Sequence, residues 1–109
     1  MNALFPLITA AALAASGAAR GAPDADAAQA LLKKNDCLKC HSLDKKKSGP
    51  SYKEIAKKYK GKADAEEKLH KHLTSNPMVE VDGSKEEHKA VKTKDAGELK
   101  NVVQWILSL

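Results

Sequence analysis

An all-α domain of about four helices is what this 109-residue chain predicts. Three observations carry that expectation. Apolar residues recur at helical spacing in separate stretches, no strand-like alternation surrounds the two cysteines, and the length leaves room for one domain.

Taken in order, the first helix is capped by Asp24 or Asp26 and carries Ala27, Ala28, Leu31 and Leu32 until Asn35 and Asp36 interrupt it. A polar loop, Ser42 to Pro50, ends in Gly49-Pro50. Ser51 opens a short helix with Tyr52, Ile55, Ala56 and Tyr59 on one face, and Gly61 closes it. A third helix, from about Ala63 to Leu73, has Asp64, Glu66 and Glu67 at its start and Lys68, Lys71 and histidines at its end, complementing the helix dipole. Asn76-Pro77 stops it. Met78 to Lys94 has no helical period, and Asp82-Gly83 within it reads as a turn. The terminal helix begins near Asp95, where Leu99, Val102, Val103, Ile106 and Leu107 form one apolar stripe with Trp105 beside it.

Residues 1–21 read as a secretory signal peptide, cleaved between about 19 and 22, and residues 22–109 as the mature domain. Asn2 to Ala19 carry no charge, and Leu4, Phe5, Leu7 and Ile8 lead into an Ala-rich run. An uncleaved anchor is the competing reading, which the weak hydrophobicity of alanine disfavours. A periplasmic location and no stable membrane insertion after cleavage follow. Without Arg20 the chain keeps 18 basic residues, all lysine, against 14 acidic ones, a net +4. With few aromatics and no arginine cluster, base stacking and phosphate forks are poorly supplied, so no nucleic-acid partner is expected. The lysines read as solvated helix faces or as a steering charge for an acidic redox partner.

The chemistry concentrates in Cys37-Leu38-Lys39-Cys40-His41, a C-x-x-C-H run, the attachment signature of c-type haem. Two thiols one helical turn apart can add to two vinyl groups on one porphyrin edge, which leaves the next residue under the iron. Cys37 and Cys40 are therefore the expected covalent attachment points and His41 the proximal axial ligand. A thioredoxin-like redox pair would need a βαβ context. A structural zinc site would need further cysteines or histidines at finger spacing, a pattern that His70, His72 and His88 lack. A disulfide closing so short a loop would remove little chain entropy. A domain of about 88 residues buries only roughly 60% of its unfolded surface, so the haem is expected to complete the core and the apo-protein to fold poorly.

A first helix leading into C-x-x-C-H, the Gly49-Pro50 loop, the Tyr-bearing helix and the final Val102 to Leu109 stretch resemble the small bacterial class I cytochromes c, over essentially the whole mature chain. The resemblance implies an all-helical fold around one covalently bound haem c, with first and last helices crossing beside it. It also implies that the Pro50 carbonyl accepts the Nδ1 proton of His41 and so orients that ring, and that Trp105 packs on the haem side. Pro50 as a plain turn residue is the alternative.

The departure from the family lies at the sixth ligand. Relatives place a methionine shortly before the last helix, but Met78 lies 17 residues ahead of Asp95, and the usual position falls on or near His88, only 7 residues ahead. His88 is the preferred distal ligand and Met78 the alternative. An open or water-filled site, or another histidine, is a further one. His70 and His72 read as surface or boundary residues. Imidazole on both faces should lower the reduction potential relative to Met/His ligation, and ligation by His88 should weaken in acid.

The expected function is one-electron transfer in the periplasm by a monomeric, non-enzymatic carrier, with Lys39, Lys45, Lys46 and Lys47 orienting an acidic partner. A gas-binding or sensor protein with a displaceable distal ligand, or the electron-accepting subunit of a periplasmic oxidoreductase, are the alternatives.

Overall fold

The computed structural model describes residues 22–109, so the expected signal peptide, 1–21, lies outside the described residues. Four α-helices run through the described residues: α1 (Ala25–Lys34), α2 (Tyr52–Tyr59), α3 (Ala65–Thr74) and α4 (Ala96–Leu107). Each start has a local cause. Asp24 caps α1 by accepting from the Ala27 amide, Ser51 caps α2 by accepting from Glu54, and Asp95 caps α4 by accepting from Gly97. The third helix begins without a side-chain cap, but Glu66 and Glu67 sit in its first turn and Lys71 and His72 in its last.

The core forms where α1 and α4 pack together. Ala28, Leu31 and Leu32 of α1 are buried in one cluster with Leu99, Val102, Val103 and Ile106 of α4. A reciprocal pair fastens this contact at one end: Asn101 Nδ2 donates to the Asp24 carbonyl and the Asp24 amide donates to Asn101 Oδ1, both at 2.8 Å. Leu69 and Leu73 of α3 and Tyr52 of α2 complete the same cluster, and both helices pack against α4. Trp105 is only 6% exposed.

One feature departs from the expected irregular loop after α3. A two-stranded antiparallel hairpin, β1 (Met78–Val81) and β2 (Ser84–Glu87), occupies it, with Met78 opposite Glu87 and Val81 opposite Ser84. Asp82 and Gly83 both have positive φ, 48° and 83°, as a two-residue type I′ turn requires. The turn was legible; the strands were not, because β2 is exposed along its whole length and offers no apolar alternation. This small ribbon leaves the fold helical and has its consequence at its base.

Candidate haem site

Backbone continuity positions the attachment motif. Asn35 ends α1, Asp36 turns through a left-handed conformation (φ 61°), and Cys37 to Lys39 form one 3-10 turn. The Cys40 and His41 amides both donate to the Cys37 carbonyl, at 3.2 and 3.0 Å. The two thiols and the imidazole thus share one tight turn just after α1. Cys37 is half-buried, Cys40 is exposed, and both are free. Burial raises the Cys37 thiol above its usual range, the opposite of the depressed value that a reactive redox thiolate needs. No group of three or more His, Cys, Asp or Glu side chains placed to hold a metal ion occurs among the described residues.

His41 is held on two sides. Its Nδ1 lies 2.6 Å from the Pro50 carbonyl oxygen, so that nitrogen carries the proton and Nε2 is left as the free donor atom. Behind the ring stands Gly49, whose amide donates to the Cys40 carbonyl at 2.9 Å. A Cβ on Gly49 would lie 2.6 Å from His41 Cε1 and 2.9 Å from Nδ1, so only glycine fits. The glycine was visible in the sequence as a turn residue, but its close approach to the histidine depends on tertiary geometry. Tyr52 was read only as part of a helix face. Its ring packs 5.4 Å from His41 and 5.7 Å from Trp105, centre to centre. Its hydroxyl is buried without a partner, and burial pushes its pKa well up, with the neighbouring cysteines adding to the effect. Trp105 therefore reaches His41 through Tyr52.

The hairpin decides which of Met78 and His88 faces His41. The His88 amide donates to the Pro77 carbonyl at 2.7 Å, which extends the ladder one rung beyond the Met78 and Glu87 pair. Successive rungs project to opposite faces. Met78 is accordingly 64% exposed, whereas His88 turns inward, its ring centre 6.1 Å from that of His41. Four backbone donors hold this segment in register. Besides His88, Ala90 donates to Asn76 Oδ1 (2.8 Å), Val91 to the Leu73 carbonyl (2.8 Å) and Lys92 to Asn35 Oδ1 (2.8 Å). Asn35 is itself buried and also donates to the Leu31 carbonyl at 3.0 Å. Neither asparagine was singled out in the sequence, where each looks like a helix terminator.

His88 Nδ1 is buried without a hydrogen-bond partner. Burial first, then the neighbouring His72 and His41, lowers the His88 pKa and favours the neutral ring that a metal can bind. His72 sits closer than its surface or boundary reading implied, its ring 4.6 Å from that of His88, while His70 is exposed on the far side near Asp64 and Lys100. Two imidazoles binding one metal ion from opposite sides, with metal–nitrogen bonds of about 2 Å, have ring centres about 6 Å apart. The observed spacing matches that arrangement. The residues present therefore fit a haem iron flanked by His41 and His88, with Cys37 and Cys40 at one edge of the ring.

A small helical domain whose first helix leads into C-x-x-C-H, with a carbonyl-oriented histidine facing a half-buried second imidazole, belongs to the class of c-type haem proteins. The comparisons agree. A family model described as Cytochrome c matches residues 25–109. The class 1 cytochrome MtoD of Sideroxydans lithotrophicus ES-1 superposes with a TM-score of 0.76 at 53% identity, covering 80% of this chain and 97% of that one. Cytochrome c552 of Nitrosomonas europaea superposes with a TM-score of 0.60 at 30% identity, covering 74% and 98%. Cytochrome c-551 of Pseudomonas aeruginosa is 39% identical over 67 residues, 62% of this chain and 60% of that protein, so the match spans less than two thirds of that curated relative. The chain belongs to the cytochrome c family, as a small class I member with one covalently bound haem c.

Proposed function

We propose that this chain is an exported one-electron carrier whose haem is attached through Cys37 and Cys40 and ligated by His41 and His88. The observation that carries the reading is the 6.1 Å separation of the two imidazole rings. Bound there, haem supplies a one-electron Fe(III)/Fe(II) couple. The chain's own residues do the rest. Pro50 holds the Nδ1 proton of His41, which makes that ring a better donor to ferric iron. The hydrogen bonds from His88 to Lys92 keep the second imidazole in place, and Tyr52 with Trp105 closes one side against water.

Ligation on both faces leaves no open position for substrate, which supports transfer over catalysis. It also disfavours a gas sensor, since displacing His88 would strain a segment tied to Pro77, Asn76, Leu73 and Asn35. Two imidazoles stabilise the ferric state and place the potential below that of Met/His relatives. No described helix is long and apolar enough to cross a membrane; in this reading residues 1–21 are a signal peptide and 22–109 work as a monomer in the periplasm. The exposed Lys39, Lys45, Lys46 and Lys47 border exposed Leu38 and Leu43, a surface suited to brief, salt-sensitive contact with an acidic redox partner.

The test is the paramagnetic resonance spectrum of the oxidised holoprotein beside those of His88→Ala and Met78→Ala. The expected result is a low-spin signal of two imidazoles, lost in His88→Ala and unchanged in Met78→Ala. A sulfur-to-iron charge-transfer band that vanishes in Met78→Ala would overturn the assignment.

A further inference from the structure

We infer that His72 is a positioning residue for the distal imidazole: its ring forms the side wall that fixes the plane of His88. The inference rests on the proposed ligation by His88. The two axial histidines differ in how they are oriented. His41 has the Pro50 carbonyl at 2.6 Å from its Nδ1, whereas His88 Nδ1 is buried with no acceptor. Ligating histidines ordinarily donate that proton, and the acceptor fixes the ring orientation. No acceptor from the described residues orients His88, so its orientation depends on what its ring packs against.

The His72 ring meets that need. It stands 4.6 Å from His88, tilted by 58°, a spacing and tilt typical of edge-to-face ring packing. The wall is itself rigid. His72 lies in the last turn of α3, three residues after buried Leu69 and next to buried Leu73. The Leu73 carbonyl accepts the Val91 amide, so the helix carrying His72 and the segment carrying His88 are joined beside the contact. Rotation of His88 would drive its ring into a side chain that cannot retreat without breaking this join. The angle between the two axial imidazole planes, 47° between His41 and His88, is thus set on one side by Pro50 and on the other by His72.

Three variants of the holoprotein test this, His72→Ala, His72→Phe and His88→Ala, each read by paramagnetic resonance when oxidised and by carbon monoxide capture when reduced. In His72→Ala the low-spin signal should persist with shifted and broadened g-values, and carbon monoxide should bind on the order of 10-fold faster, the scale of outer-shell substitutions at metal sites. In His72→Phe, which keeps a ring against His88, both should return toward the parent. An unchanged His72→Ala, alongside loss of the second imidazole in His88→Ala, would overturn the role of His72 and leave the ligand assignment standing. A His72→Ala shift that His72→Phe does not restore would overturn packing as the cause. Retention of the two-imidazole signal in His88→Ala would overturn the ligand assignment and this inference together.

Discussion

Replacing Gly49 by alanine should disturb the proximal ligand more than a single methyl group suggests. The new Cβ would sit 2.6 Å from His41 Cε1, which is 0.8 Å inside the 3.4 Å where ordinary contact begins, and 2.9 Å from Nδ1. His41 cannot simply step back. Its backbone follows directly on Cys40 in the turn whose amides donate to the Cys37 carbonyl, its Nδ1 is bonded to Pro50 at 2.6 Å, and Tyr52 stands beside the ring. Overpacking a well-filled site costs about 1–3 kcal/mol, and stretching the Pro50 bond adds about 0.5–1.5 kcal/mol. A loss of about 1.5–4.5 kcal/mol in a domain of this size corresponds to a fall in Tm of roughly 6–36 °C. Thermal unfolding of the holoprotein by circular dichroism measures it. Weakening the bond also removes electron donation to ferric iron, so the reduction potential should rise. A Gly49→Ala protein that melts within a few degrees of the parent, at an unchanged potential, would refute the close-approach argument.

Asn35→Ala removes the acceptor for the Lys92 amide and the donor to Leu31 inside the core. The expected cost is about 1–3 kcal/mol, read as a lower denaturation midpoint, with faster carbon monoxide capture by the reduced protein because the segment carrying His88 is loosened. The Cys37→Ala, Cys40→Ala variant should lose covalent haem and fold poorly. A far-UV circular dichroism spectrum with native helix content would contradict the view that haem completes the core.

Helix starts were legible because they are local: Asp24, Ser51 and Asp95 each cap a helix with their own side chain, and the apolar stripe of α4 depends only on spacing. The attachment motif was legible for the same reason, since one turn of chain brings Cys37, Cys40 and His41 together. The hairpin escaped because β2 is exposed along its whole length and leaves no apolar pattern to read. Gly49, Asn35, Asn76, Tyr52 and His72 escaped as site residues because their roles depend on partners far along the chain or on the direction of a ring. Asn35 and Lys92, for example, are joined across 57 residues.

By itself, then, the sequence pointed to a covalently bound haem and to the class of scaffold that holds it, because covalent spacing and helical periodicity are written in neighbouring residues. The tertiary structure decided which of His88 and Met78 faces His41. That choice turns on the alternation of side chains about the rung between Pro77 and His88, and on the packing of α3 beside it. Spacing to the last helix favoured His88, but the direction of its ring depends on contacts between segments far apart in the chain.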